Sequence, residues 1–156
     1  MSKVFVIADT HFGHKNIVSW GRKQFATIEE HDRELVRRWN AVVTKHDVVW
    51  HLGDVFFTKN GHTPLADLNG MKHLVMGNHD HHPLRIYQNY FNKILGAAEY
   101  GSVILTHIPI HESQRYRWAR NVHGHLHELS VPDPWYACVS CDHTNLAPIE
   151  LRIAIG

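Results

Sequence analysis

Apolar residues along this chain come in short runs, and most of the runs stop on a histidine or an aspartate. KVFVIA (3–8) is continuous and largely β-branched, which predicts a strand buried on both faces, as in a sheet covered by helices. It breaks at Asp9, Thr10 and His11, the end of the strand where α/β proteins keep their sites. TIEEHDRELVRRWNAVVTK (27–45) carries Leu35, Val36, Trp39, Val42 and Val43 at the spacing of one helical stripe. Thr27 followed by Glu30 reads as a capping box at its start. His31 falls among the polar residues of this helix, and solvent exposure is expected for it.

DVVWHLGD (47–54) predicts a second strand, closing on Gly53 and Asp54. KHLVMGNHD (72–80) predicts a third, closing on Gly77, Asn78, His79 and Asp80. GSVILTHIP (101–109) closes on His107, and RNVHGHLH (120–127) is a short strand ending in alternate histidines. WYACVSCD and APIELRIAI are expected to be the last two strands. Strands and helices alternate early and strands dominate later, which predicts an α/β fold with two packed sheets and outer helices. The sequence has no internal repeat and no linker, and Pro132-Asp133-Pro134 reads as a turn, so one domain over residues 1–156 is expected.

Composition changes this picture in one respect. Apolar content is 44% and net charge is +1 with histidine neutral, which gives no electrostatic footprint for nucleic acid. Histidine, however, is as abundant as lysine and arginine together, 16 of each, which points to metal or proton chemistry. Cys138 and Cys141 form a lone C-x-x-C without the second pair of a zinc ribbon, and they read as small core or surface residues. No stretch approaches the ~18 apolar residues of a membrane span. The N-terminal run is too short for a signal peptide, and a cytoplasmic protein is expected.

Each strand end is a weak signal by itself, since an Asp-x-His arises by chance and a Gly-Asp is usually a turn. Their conjunction is strong. The order DTH (9–11), GD (53–54), GNHD (77–80), His107 and GHLH (124–127) resembles the calcineurin-like metallophosphoesterase superfamily, and its small single-domain members in particular. The resemblance implies a four-layer α-β-β-α sandwich, two mixed sheets flanked by helices, with a two-metal site at the strand ends. It implies that Asp9, His11 and His127 hold one metal, that Asn78, His107 and His125 hold the other, and that Asp54 bridges both. His123 acquires no role and reads as a strand residue beside the site.

Oxygen and imidazole donors suit first-row divalent ions: manganese foremost, with iron, cobalt, nickel or zinc as alternatives. Two such ions outweigh two aspartates, so the site attracts phosphate. Metal-activated water supplies hydroxide near neutral pH for in-line attack on phosphorus. His79, beside Asn78, is expected to act as general acid or leaving-group stabiliser, oriented by Asp80 through its other ring N–H.

His14, Lys15 and Arg22 are candidates to line the cleft and touch substrate phosphate, or else simply form a solvated loop. Arg115, Arg117 and Arg120, with Tyr116 and Trp118, read as a surface segment rather than a nucleic-acid interface. His46, His51, His62, His73 and His111 read as structural, and His81 and His82 as a polar loop. GDVFFTKNG and the final Asp80 depart from the pattern of Ser/Thr protein phosphatases. The resemblance to the small single-domain members implies a phosphodiesterase on a nucleotide-like or other small diester. A nuclease, a phosphomonoesterase, or a non-catalytic metal-binding scaffold of the same fold are the alternatives. The sequence assigns no oligomeric state.

Overall fold

The structure is a computed structural model and describes residues 1–156. Strand β1 (Val4–Ile7) leads into a short helix α1 (Ile17–Trp20) and the long helix α2 (Ile28–Val42). Strands β2 (Val48–His51) and β3 (Met71–Val75) flank a 3-10 turn at Thr63–Asp67. Helix α3 (Leu84–Gln88) precedes β4 (Lys93–Leu95), β5 (Ala98–Tyr100) and β6 (Val103–Leu105). After a 3-10 turn at Glu112–Gln114 come β7 (Arg120–His123), β8 (Tyr136–Cys138), β9 (Ile149–Glu150) and helix α4 (Leu151–Ala154).

These strands form two mixed sheets. The first has the order β4-β3-β2-β1-β9, parallel except for β9. The second has the order β5-β6-β7-β8, parallel except for β5. Alternation along β1 divides the core. Phe5 and Ile7 pack with Leu35 and Trp39 of α2, while Val6 turns to the other face and meets Leu105 and Val122 of the second sheet and Val139 just past β8. The expected arrangement of two mixed sheets with helices is therefore present. Its fourth layer is thin: the segment after β6 covers the second sheet with one 3-10 turn. Ile110 is tied there through its N–H to Asn121 Oδ1 at 3.0 Å and through its carbonyl to Tyr136 OH at 2.8 Å.

The helix over 28–42 has the expected cap, with Thr27 Oγ1 accepting from Glu30 N–H at 3.2 Å. His31, expected in solvent, is instead fully buried. The reason is its spacing: residues 31, 35 and 39 are four apart, so His31 shares the face of Leu35 and Trp39. APIELRIAI also needs correcting. Only Ile149 and Glu150 pair with β1; Leu151 then turns into the core between the sheets and the chain closes as α4, leaving Ile153 exposed. Strands β4 and β5 were not foreseen, because three residues are too few to show a period. Both cysteines are free, and burial pushes the Cys141 thiol up to about 12. No helix is long and apolar enough to cross a membrane.

Candidate metal centre

Parallel strands place their C-terminal ends along one edge of each sheet. Asp9 and His11 follow β1, Asp54 follows β2, Asn78 to Asp80 follow β3, His107 follows β6, and His125 and His127 follow β7. The fold brings these loops together. Asp9, His11 and His127 present donor atoms all within 4.8 Å of one another, and so do Asp54, His107 and His125.

The side chains are aimed by their other hydrogen bonds. Asp9 Oδ2 accepts from His125 N–H at 2.9 Å and from the Ser140 hydroxyl. Its second oxygen, Oδ1, is buried without a partner, and so is His11 Nε2. Two orphaned buried atoms are costly unless something satisfies them, and a cation between them does so. His107 donates from Nδ1 to the Leu52 carbonyl at 2.7 Å, which leaves Nε2 facing Asn78 Oδ1 at 2.8 Å. Asp54 connects the two groups: Oδ2 lies 3.6 Å from His11 Nε2 and Oδ1 lies 3.5 Å from His107 Nε2. The donor set therefore fits two ions sharing one carboxylate.

Backbone conformation marks the same residues. Asp9, His11, Asp54, His125 and His127 all have positive φ, between 48° and 70°. Asn145 and Leu146 are the other non-glycine residues in that state. The left-handed region costs an L-residue about 1–2 kcal/mol, and such strain collects where function requires a particular side-chain direction. Gly53 shares this constraint at φ 93°, and a Cβ there would meet the Gly77 backbone and His107 Nδ1. At Gly124 a Cβ would run into Ala8 Cβ and Asp9 Oδ2, which explains the glycine of GHLH.

The electrostatics follow from burial and pairing. Burial pushes the Asp54 carboxyl up, but the hydrogen bond and charge of His107, the His79 N–H and His11 outweigh it and hold the group below the usual carboxylate range. Burial raises Asp9, partly offset by His107, Ser140 and His127. Burial lowers His11 to about 2 against the pull of Asp54, so this ring is neutral and able to ligate.

The structure changes three expectations. Asp80 does not reach the His79 ring: its Oδ2 accepts from Asp54 N–H and Gly77 N–H, both at 2.8 Å, and its Oδ1 accepts from Val55 N–H at 2.9 Å. Its carboxylate is committed to shaping two loops because three backbone donors converge on it. Arg22 does not line the cleft either. It is 1% exposed, and all five guanidinium donors are used: on both oxygens of Asp142, the Asp9 and Thr10 carbonyls, and His31 Nε2. Lys15 is exposed on the loop between β1 and α1 and makes no contact that would place it at the donors. His14 does lie at the rim, stacked on Phe57 at 3.9 Å with its centroid 5.4 Å from His11.

His79 sits over the first group, 6.0 Å from His11 ring to ring, with its backbone N–H donating to Asp54 Oδ1 at 2.9 Å. His123 is buried and donates to the Gly124 carbonyl, a strand residue behind the site. Among the histidines read as structural, His51 and His73 are buried, His62 meets Tyr90 OH, and His111 caps its own 3-10 turn. Residues not foreseen are Ser140 on Asp9, Asp142 on His127, and Trp20, whose ring lies 5.4 Å from that of His127. Ser140 and Asp142 were legible by the same rule as the ligands: they follow the apolar end of β8.

Comparison with known proteins agrees with this geometry. Residues 2–146 match the model of the calcineurin-like phosphoesterase superfamily domain. The gene 66 protein of Mycobacterium phage L5 is 31% identical over 84% of this chain and 80% of its own length. An uncharacterized protein of Methanocaldococcus jannaschii is 39% identical over 51% of this chain, which spans about half, 48%, of that relative. Among solved structures, a protein of unknown function from Aquifex aeolicus superposes with a TM-score of 0.79 at 22% identity, covering 98% of this chain and 97% of that one. An archaeal phosphodiesterase gives a TM-score of 0.53 at 16% identity, covering 88% and 82%. At those identities the two structures speak to the fold alone.

Proposed function

Because the chain belongs to the calcineurin-like phosphoesterase superfamily, we propose that it is a dimetal phosphodiesterase acting on a nucleotide-like or other small diester. The observation that carries this reading is the Asp54 carboxylate, with one oxygen turned to each group of donors. Asp9, His11 and His127 would hold one ion, and Asn78, His107 and His125 the other. With oxygen and imidazole donors, manganese is the proposed metal. Bound there, two divalent ions supply an activated water near neutral pH and neutralise charge on the phosphoryl oxygens.

The remaining work falls to the chain's own side chains. His79 stands at the rim, anchored by its backbone, with its ring beside those of Phe57 and His11 and without a side-chain hydrogen bond. One of its ring N–H groups gives a proton to the departing oxygen. Asp80 fixes the backbone around Asp54 and thereby the shared carboxylate. Support for a planar group on the substrate comes from an arc of rings. Trp20, His127, His11, His14 and Phe57 follow one another with centroid separations of 5.4, 5.1, 5.4 and 3.9 Å. Trp20 is 52% exposed, and an exposed ring beside a phosphate site offers a stacking surface for a base.

The test is turnover of bis(p-nitrophenyl) phosphate against p-nitrophenyl phosphate by Mn²⁺-loaded protein, followed by cyclic nucleotides, dinucleotides and glycerol phosphodiesters. The diester should be the faster of the first pair, and nucleotide diesters faster than glycerol ones. Turnover of the monoester alone, or of neither ester with two ions bound, overturns the reading.

A further inference from the structure

Behind the donor atoms runs a chain of buried and half-buried polar groups that the site itself does not explain. Gly13 N–H donates to Asp32 Oδ2 at 3.0 Å, and Asp32 Oδ1 lies 2.8 Å from His31 Nδ1. His31 Nε2 lies 2.9 Å from Arg22 Nη1. Arginine carries only donors, so His31 must accept at Nε2 and therefore donate from Nδ1. That assignment fixes the tautomer of a fully buried ring. Arg22 then grips Asp142 with two parallel bonds, Nε to Oδ1 and Nη2 to Oδ2, each 3.2 Å. Asp142 Oδ2 finally meets His127 Nδ1 at 3.3 Å.

The consequences for His127 are directional. A carboxylate accepts only, so Nδ1 carries the proton and the lone pair is left on Nε2, on the side of the ring away from Asp142. Arg22 also donates to the Asp9 and Thr10 carbonyls, so one guanidinium ties His127, through Asp142, to the left-handed backbone of Asp9. These are two of the three members of the first donor group. A carboxylate whose only task was to neutralise Arg22 would not also meet the ring of a metal ligand. An arginine reaching for substrate would not spend all five donors inside the protein.

We propose that Asp142, clamped by Arg22, is a positioning residue that fixes the tautomer and direction of His127 and so sets the affinity of the Asp9–His11–His127 group for its ion. The proposal rests on the two-ion reading of the site. Loss of such an outer partner typically weakens a metal site by about 10–100-fold. The effect should be confined to one group, because Asp54, His107 and His125 make no contact with Asp142.

Calorimetric titration of the metal-free protein with Mn²⁺ separates the possibilities. Wild type should bind two ions; if it does not, the two-ion reading fails and this inference with it. Given two ions in wild type, Asp142→Asn should weaken one site by about 10–100-fold and leave the other within about threefold. Equal weakening of both sites, or of neither, overturns the positioning role alone. The cycle with His127→Ala adds a readout that general loosening of the fold would not give. If Asp142 acts through His127, Asp142→Asn should change the affinity of the first site no further once His127 is gone; additive losses overturn the proposal. Should Asp142→Asn fail to fold, nitrogen NMR of the Zn²⁺-loaded wild type still decides the matter. His127 is expected to carry its proton on Nδ1, and a proton on Nε2 would refute the assignment.

Discussion

Asp80 accepts the backbone N–H of Asp54 at 2.8 Å, so the loop that carries Asp54 is clamped by the loop that carries Asn78. The same carboxylate takes N–H groups from Val55 and Gly77. Asp54 is held in this way at φ 56°, a conformation it would not keep unaided. Asp80→Ala leaves three backbone donors without an acceptor in a buried place. Hydrogen bonds to a charged group are each worth about 1.5–3 kcal/mol, and a net loss of about 3 kcal/mol is expected after relaxation. Urea unfolding of the metal-free protein measures it. A change below about 0.5 kcal/mol would show that the clamp is unimportant.

His79 is tied to the site by its backbone, not by its ring. Its side chain is therefore removable without disturbing a donor atom. His79→Ala should keep both Mn²⁺ ions and lose kcat by about 10²–10⁴-fold, the usual contribution of a general acid. The loss should shrink for diesters with a good leaving group such as p-nitrophenoxide, which needs little protonation. Stoichiometry by calorimetry and kcat on two leaving groups give the answer; loss of an ion would assign His79 to the metal site instead.

The donors were legible because each follows an apolar run, and parallel strands must deliver their ends to one edge. What remained hidden was what supports them. Lys15 and Arg22 sit seven residues apart on either side of the short helix α1, and nothing local says that one is exposed and the other buried. His31 was misread because its neighbours Glu30 and Asp32 are polar, although its four-residue spacing from Leu35 placed it on the buried face. Asp80 looked like a partner for the adjacent His79 ring. Besides the local Gly77 N–H, the adjacent Asp54 and Val55 N–H groups of the loop after β2 compete for it, and these meet it only in three dimensions.

Gly124 separates β7 from His125 and His127, and its place leaves no room for a methyl group. A Cβ there would run into Ala8 Cβ and Asp9 Oδ2, the oxygen already engaged by His125 N–H and Ser140. Gly124→Ala should push Asp9 away from His125. Overpacking of this kind costs about 1–3 kcal/mol, and binding at the first ion should weaken alongside the stability. Urea unfolding and Mn²⁺ titration of the same variant test both halves. Wild-type stability together with wild-type affinity would refute the account.

His51 offers a pH test that needs no metal. It is fully buried, with Nδ1 accepting from Gly53 N–H at 3.2 Å. Thr10 Oγ1 donates to the Val55 carbonyl at 2.7 Å, so it must accept from His51 Nε2, 2.8 Å away. The neutral ring satisfies both contacts, and a second proton on Nδ1 would face a donor. Burial, with a further push from His107, lowers the folded value to about 3 from an ordinary 6.5. The unfolded chain therefore binds a proton below about 6.5 that the folded chain refuses. Stability from this group is complete above that pH and declines as pH falls toward 3, at up to ~1.4 kcal/mol per unit. Between pH 6.5 and 5, before most carboxylates titrate, chelator-treated wild type should lose stability more steeply than His51→Gln by about that slope. Urea unfolding at several pH values measures the difference, and parallel curves for the two proteins would mean that His51 takes up its proton in the folded state.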